Sequence, residues 1–294
     1  MSQFGDLGRR ILSSISSHTL PMAPLNVLAF GGSRNIGYFA AVRLLEQGAT
    51  VTFLLRSPSI FDEDTTIQKY VQSGHARLVK GDALNEADTR RAWDAAGIVD
   101  AVIFTIGTTP SSFSLTKGFL IKPHNLCTQC MLNVLCTMPT YADAPQPKFV
   151  ALSSTGVTPA SHKALPFKLK PVYSMIGVPH RDKVAMERVI AHCAGWAWDP
   201  KADGAPTIDL MGAGWTDRKG LPAPGSLENA LVIHAGFLTD GPCEADEGKR
   251  YRVSEEELGP DGYKISRKDA AHFVVDVLTR RWNEFGDKRV NLTY

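Results

Sequence analysis

The stretch Leu28–Gly37, LAFGGSRNIG, joins a short apolar run to a glycine-rich turn and then to a segment of helix length. A turn that opens a helix in this way aims backbone N–H groups and the positive end of the helix dipole at one point, which suits a phosphate. Gly31 permits the tight turn and Gly37 the close packing of helix on strand, with Gly32, Ser33, Arg34, Asn35 and Ile36 between them. Asn35 stands where a glycine would be easiest, but asparagine visits the left-handed region more readily than most residues. The chemistry expected is dinucleotide binding. The next apolar run, TVTFLLR (50–56), ends on Arg56 and not on an acid that would hold ribose hydroxyls. Arg34 and Arg56 together suit a 2′-phosphate, which favours NADP(H) over NAD(H). The alternative is that both arginines are solvated.

Other residues of reactive type follow. Ser153, Ser154 and Thr155 close the apolar run 148–156; Ser154 or Thr155 suits a carbonyl-orienting hydroxyl, unless all three bond backbone at a strand end. His180 lies one turn before Lys183 and is of the type that donates a proton near neutral pH; capping or solvation is the plainer role. Tyr173 stands where it could swing into a site or pack on the PFKLKP loop. Phe113, Phe119, Trp196, Trp198, Met211, Trp215 and Phe237 would make an aromatic and apolar rim suited to a planar or hydrophobic substrate, or would be core in part. Trp196 and Trp198 are the stronger rim candidates, because an exposed loop has little structural need of two tryptophans.

The elements that must position these residues alternate. Apolar runs at 26–30, 50–56, 76–82, 99–107 and 148–156 are separated by helical patterns at 37–48, 86–97, 123–138 and 180–193. The strands are apolar and β-branched nearly throughout, so both their faces should be buried. The expected fold is α/β, a Rossmann-type doubly wound parallel sheet with helices on both faces and a small C-terminal substrate-binding region. One domain is expected over 25–294, after an N-terminal arm or extra helix over 1–24. The Gly-, Pro- and Asp-rich stretch 194–230 breaks the rhythm and is expected to be a substrate-rim insertion. Beyond it come a strand and turn at 231–241, a strand-like start at 250–258, and an amphipathic helix over 265–282 with Ser266 as its N-cap.

Composition bounds the rest. The chain has 294 residues, 44% of them hydrophobic and 21% charged, which is globular and not disordered. A net charge of +2 gives no basic stripe for nucleic acid. No apolar run reaches membrane-helix length and the N-terminus lacks the apolar core of a secretory signal. Five scattered cysteines suggest a reducing compartment, hence the cytoplasm. CTQC at 127–130 has no second pair at zinc-like spacing, so two buried thiols on a helix are expected and no metal. The expected partner is a small hydrophobic substrate, without nucleic acid or membrane. The chain is expected to be a monomer or a homodimer, the long helix 123–138 being the candidate dimer face unless its apolar content is ordinary core.

An ordered set of motifs adds to this. FGGSRNIG resembles the TGxxxGxG turn of short-chain dehydrogenase/reductases, with Phe30 at the Thr position and Asn35 at the middle Gly. KGDALN looks like the turn in which Asp82 and Ala83 would meet adenine, and FTIGTT (Thr105, Ile106, Gly107) takes the place of the turn after the fourth strand. LSSTG, with Ser153, resembles the catalytic serine region. DKVAMERVI looks like the K-x-x-x-E helix of NAD(P)H-binding, NmrA-like atypical members, and HAGFLTDG, with Gly236 and Phe237, is similar to their C-terminal part. The resemblance covers about 25–282. It implies NADP(H), and a ribose-holding role for Lys183. The YxxxK pair of the main family is absent, because Pro179 stands four residues before Lys183. The acid is then lost or relocated, to His180, Tyr173 or Lys183 itself, or the proton comes from solvent. The expected activity is NADPH-dependent reduction of a carbonyl, imine or conjugated alkene in a hydrophobic small molecule. The alternatives are a non-catalytic NADP(H) sensor of the NmrA type and a redox-neutral isomerase or dehydratase.

Overall fold

The computed structural model describes residues 24–107, 111–114, 116, 118–256 and 263–294; of the N-terminal arm expected over 1–24, only Pro24 falls among them. The chain runs β1 (Asn26–Phe30), α1 (Asn35–Glu46), β2 (Thr50–Leu55), α2 (Thr65–Gln72), β3 (Ala76–Lys80), α3 (Glu86–Ala96) and β4 (Ala101–Phe104). A hairpin of β5 (Ser112–Ser114) and β6 (Gly118–Leu120) precedes α4 (Leu126–Cys136) and β7 (Lys148–Ser154). Then come α5 (Pro159–Ala164), α6 (Lys170–Met175), α7 (Gly177–Ala194), α8 (Ile208–Met211), β8 (Ala230–Ala235) and β9 (Phe237–Thr239). The chain closes with β10 (Arg252–Ser254), β11 (Lys264–Ser266), α9 (Arg267–Asp276), a π turn over Val277–Arg281, α10 (Trp282–Phe285) and β12 (Lys288–Thr293).

Among the described residues one sheet has eight strands in the order β10-β12-β8-β7-β4-β1-β2-β3. All pairs are parallel except β10 with β12. The apolar runs are buried as their composition demands: β1, β4 and β8 are covered on both faces. Two cores result, one centred on α1 and α9, the other on α3, α4 and α7. This is the doubly wound α/β sheet expected.

Element boundaries moved where local signals misled. The helix expected from residue 37 starts at Asn35, and the one expected from 180 starts at Gly177. Pro179 lies in the first turn of α7, where its missing N–H costs no helical hydrogen bond. The helix expected over 123–138 shrinks to Leu126–Cys136. Nine of its eleven residues are buried within this one chain, so ordinary burial accounts for its apolar content. The sequence reading also passed over β12, a short mixed run (KRVNLT) whose strand character comes from insertion between β8 and β10.

Candidate functional site

The β1–α1 turn is built for close approach. Gly31 has φ +89°, and a Cβ there would stand 2.6 Å from the Ile106 nitrogen. A Cβ on Gly37 would press on Thr105 Oγ1 and on the Gly31 carbonyl. Thr105 Oγ1 donates to the Phe30 and Gly31 carbonyls at 3.3 and 3.2 Å, so the turns after β1 and β4 lock together. A Cβ on Gly32 would meet the Phe53 ring at 2.8 Å. Asn35 opens α1 at φ +53°, the left-handed conformation its type tolerates. Arg34 before it is extended; no side chain caps α1 and its first turn holds no acid. Ile36 is buried under the turn, whereas Ser33, Arg34 and Asn35 reach the surface. The cradle that a Cβ would fill and the uncapped start of a twelve-residue helix fit a dinucleotide pyrophosphate.

Beside it, Arg56, Val79, Lys80, Gly81, Asp82, Asp88 and Arg91 line a groove of roughly 690 Å³ at the ends of β2 and β3. Arg91 is tied to Asp88 and to the Lys80 carbonyl, each at 2.8 Å. The Asp82 backbone N–H and Arg91 hold the Asp88 carboxyl below its usual range. Asp82 Oδ1 accepts from the Leu84 N–H, and Asn133 fixes the Ala83 carbonyl at 2.9 Å. Sequence reasoning found Arg56, Asp82 and Ala83 here but missed Lys80 and Arg91, which the β3 terminus and the exposed face of α3 bring in.

Lys183 lies between the ends of β4 and β7. Its Nζ donates to the Ile106 carbonyl at 2.9 Å and the Leu152 carbonyl at 2.7 Å. Two ammonium protons are thereby used, and the third faces the Met186 sulfur at 3.9 Å, a weak acceptor that an oxygen ligand would outcompete. Gly107, just beyond Ile106, is exposed. On the far side, Gly236 follows β8; a Cβ there would stand 2.8 Å from the Tyr263 carbonyl, and Phe237 is exposed.

The other catalytic candidates are placed less favourably. His180 is buried, its ring edge-on to Tyr173 at 5.4 Å. Burial, aided by His162 and Lys183, lowers its pKa to about 4, so it is neutral at pH 7 and holds no proton to donate as imidazolium. That corrects the neutral-pH donor expected of it. Tyr173 does not wait in a loop: it sits buried on α6 between Leu165 and Tyr263, and its hydroxyl lies 3.3 Å from Thr155 Oγ1. Burial raises its pKa as well. Thr155 is buried on that hydroxyl, while Ser154 is half-buried and its Oγ donates to the Thr155 carbonyl at 3.2 Å.

Ser153 turns inward. Its hydroxyl donates to Glu187 Oε1 in a short hydrogen bond, and Glu187 Oε2 lies 3.0 Å from His234 Nε2. Burial opposes the Glu187 charge, but His234 and Ser153 outweigh it and hold the carboxyl below its usual range. Glu187 is the acid of the K-x-x-x-E helix, one turn after Lys183. Its partner His234 carried no local signal, because the pairing of β7 with β8 sets it beside Ser153 and α7 packs over both.

Asp182 is the other residue missed. Fully buried, it accepts from the Cys127 and Thr128 N–H groups at 2.7 and 2.9 Å and from Thr128 Oγ1 at 2.7 Å. It caps α4 from α7 and so pins the residue next to Lys183. Cys127 and Cys130 are buried, as expected, and burial pushes the Cys127 thiol up to about 12.

In the 194–230 stretch the tryptophans named for the rim are engaged in packing. Trp198 donates to the Gly204 carbonyl at 2.8 Å with Arg188 and Arg289 over its ring. Trp196 packs on the α3–α4–α7 core, and Trp215 stacks edge-on to His192 at 4.9 Å. The Leu210 carbonyl accepts from Asn125 and Gln129, and Met211 is core. The segment straps α4 and α7 together. Phe113 and Phe119, in contrast, stack at 5.2 Å on the hairpin that follows β4, and Phe113 is exposed.

A family model described as NAD(P)H-binding matches residues 31–198. Over 267 residues the chain is 27% identical to Reductase pytE of Aspergillus terreus, covering 85% of this chain and 90% of that protein. ChuY, an anaerobillin reductase from Escherichia coli, has a similar structure: TM-score 0.56, 15% identity, covering 90% of this chain and 95% of that one. So does a short chain dehydrogenase from Burkholderia cenocepacia in complex with NADP: TM-score 0.53, 15% identity, covering 90% of this chain and 94% of that one. Among the described residues no helix is long and apolar enough to cross a membrane.

Proposed function

Because this chain belongs to the NAD(P)H-binding family, we propose that it is an NADPH-dependent reductase of a hydrophobic small molecule carrying a carbonyl, imine or conjugated alkene. The observation that carries the reading is Lys183, held by the Ile106 and Leu152 carbonyls across the ends of β4 and β7, with the glycine cradle beside it. The name of the relative from Aspergillus terreus, a reductase, supports it.

A bound nicotinamide would supply a hydride. The chain's own residues do the rest. Gly31, Gly32 and Gly37 let the backbone approach the pyrophosphate, and the N–H groups of the first turn of α1 hold it. Arg34 and Arg56 take the 2′-phosphate, with Lys80 at the same groove. Thr105, Ile106 and Gly107 line the ribose, and Asp82 and Ala83 the adenine. The third N–H of Lys183 holds a ribose hydroxyl or donates to the substrate oxygen. Ser154 is the half-buried hydroxyl that orients that oxygen. With His180 neutral and Tyr173 engaged with Thr155, the proton comes from Lys183 or from solvent.

Titration with NADPH by calorimetry tests the cofactor, and NADPH oxidation against quinones, aldehydes and flavins tests the chemistry. NADPH should bind below millimolar and about tenfold or more tightly than NADH, since a 2′-phosphate pairs with guanidinium; equal affinities would remove the role given to Arg34 and Arg56. Lys183→Ala should abolish turnover of a substrate so found while the fold persists, and unchanged turnover refutes the assignment. The buried Tyr173 and neutral His180 favour a second reading, a non-catalytic NADP(H) sensor. Intact NADPH binding with no oxidation across the panel supports that one.

A further inference from the structure

Two side chains of α7, one helical turn apart, hold two consecutive residues of β7. Lys183 Nζ donates to the Leu152 carbonyl at 2.7 Å, and Glu187 accepts from the Ser153 hydroxyl. The same Lys183 nitrogen reaches the Ile106 carbonyl at 2.9 Å, just beyond β4. The grip of Lys183 therefore depends on where the end of β7 lies against α7. Glu187 fixes that end at the residue next to the Lys183 acceptor.

Glu187 is itself braced. Its second carboxylate oxygen lies 3.0 Å from His234 Nε2 on β8. Ser153 and His234 stand opposite each other in the β7–β8 register, so one carboxylate bridges two adjacent strands. Arg289 on β12 adds attraction from further off, but its guanidinium is paired with Asp203 at 2.8 Å. Ser153, His234 and Arg289 thus answer the carboxylate from β7, β8 and β12.

The Glu187 side chain is wholly buried. Stability alone does not ask for such a group, because taking a carboxylate out of water is costly and apolar residues of the same volume often serve a core equally well. What an apolar residue cannot do is accept a hydrogen bond from the strand end that carries a Lys183 acceptor.

We propose that Glu187 is a positioning residue for Lys183: through Ser153 it clamps the end of β7 to α7, His234 holds the clamp, and the Leu152 carbonyl is thereby kept where the Lys183 ammonium needs it. What Lys183 then does, hold a ribose hydroxyl or give a proton, rests on the reductase reading; the clamp does not.

Trace acetylation of the full chain with acetic anhydride tests it, with peptide mass spectrometry reading each lysine. An amine held by two carbonyls must leave them to react, so wild-type Lys183 should react more slowly than the exposed Lys69 of α2. Glu187→Ala should speed Lys183 relative to Lys69 on the order of tenfold, as the loss of one hydrogen bond to a charged group provides. Glu187→Gln should stay close to wild type, because its amide oxygen accepts from Ser153 and its NH2 meets the His234 nitrogen. Should Glu187→Ala not fold, Ser153→Ala carries the same expectation with only a hydroxyl removed. An unchanged Lys183 rate in the folded alanine variant overturns the proposal, as does a glutamine variant as reactive as the alanine one. A rise shared by all lysines also overturns it, in favour of a role in stability alone, and so does a wild-type Lys183 as reactive as Lys69. The measurement needs neither cofactor nor substrate, so failed NADPH binding beside a protected Lys183 strikes the reductase reading and leaves the clamp standing.

Discussion

Gly31 and His180 show how far single residues reach. Gly31 combines φ +89° with a Cβ position 2.6 Å from backbone, so alanine there is refused both by conformation and by space. Gly31→Ala should lower the melting temperature and weaken NADPH binding by about tenfold or more, since the turn must open to admit the methyl group; calorimetry with a thermal melt checks both. His180 makes a different prediction. Its folded pKa is about 4 against 6.5 for the free side chain. Between those values the unfolded chain takes up a proton that the folded one refuses, so stability falls as pH drops through that window. The loss is of the order of 3 kcal/mol by pH 4. His180→Gln should flatten that part of the curve of unfolding free energy against pH. The glycine was legible in the sequence, because a tight turn is a local matter. The burial of His180 was not, because it depends on α6 folding back over α7.

Among the elements, α4 and α7 form the pair on which the site depends. Asn125 does not cap α4 with its side chain; Asp182 does so from α7. Asp182→Ala would leave two buried N–H groups without their acceptor, while the Thr128 hydroxyl keeps the residue-182 carbonyl, at a cost of about 2–4 kcal/mol. Urea unfolding should show this loss, and Asp182→Asn, which keeps one acceptor oxygen, should recover part of it. The helices themselves were legible from apolar spacing, but the capping of one by the other was not. The packing of Trp196 and Trp198 within 194–230 was not legible for a related reason. Two tryptophans in a Gly/Pro-rich run look idle in sequence, whereas the folded chain sets one beneath Arg188 and Arg289 and the other on the core.

In the whole molecule, the last strand closes the sheet. β12 pairs with β8 on one side and β10 on the other, and its apolar side chains Val290 and Leu292 are core. Removing residues 288–294 should therefore abolish cooperative unfolding and give rapid proteolysis, whereas a C-terminal arm resting on the surface would be dispensable.

The alternation of strands and helices from β1 to β7, the glycine turn after β1 and the left-handed Asn35 were legible in the amino-acid order because each depends on residues within a few positions of one another. The contacts that make a site were not. Asp182 meets Cys127 across 55 residues, and Glu187 meets His234 across 47. Lys183 finds the Ile106 carbonyl 77 residues away. Each of these contacts exists because α7 packs across α4 and the ends of the parallel strands, and a periodic pattern of apolar residues says that such elements pack without saying which side chains they bring face to face.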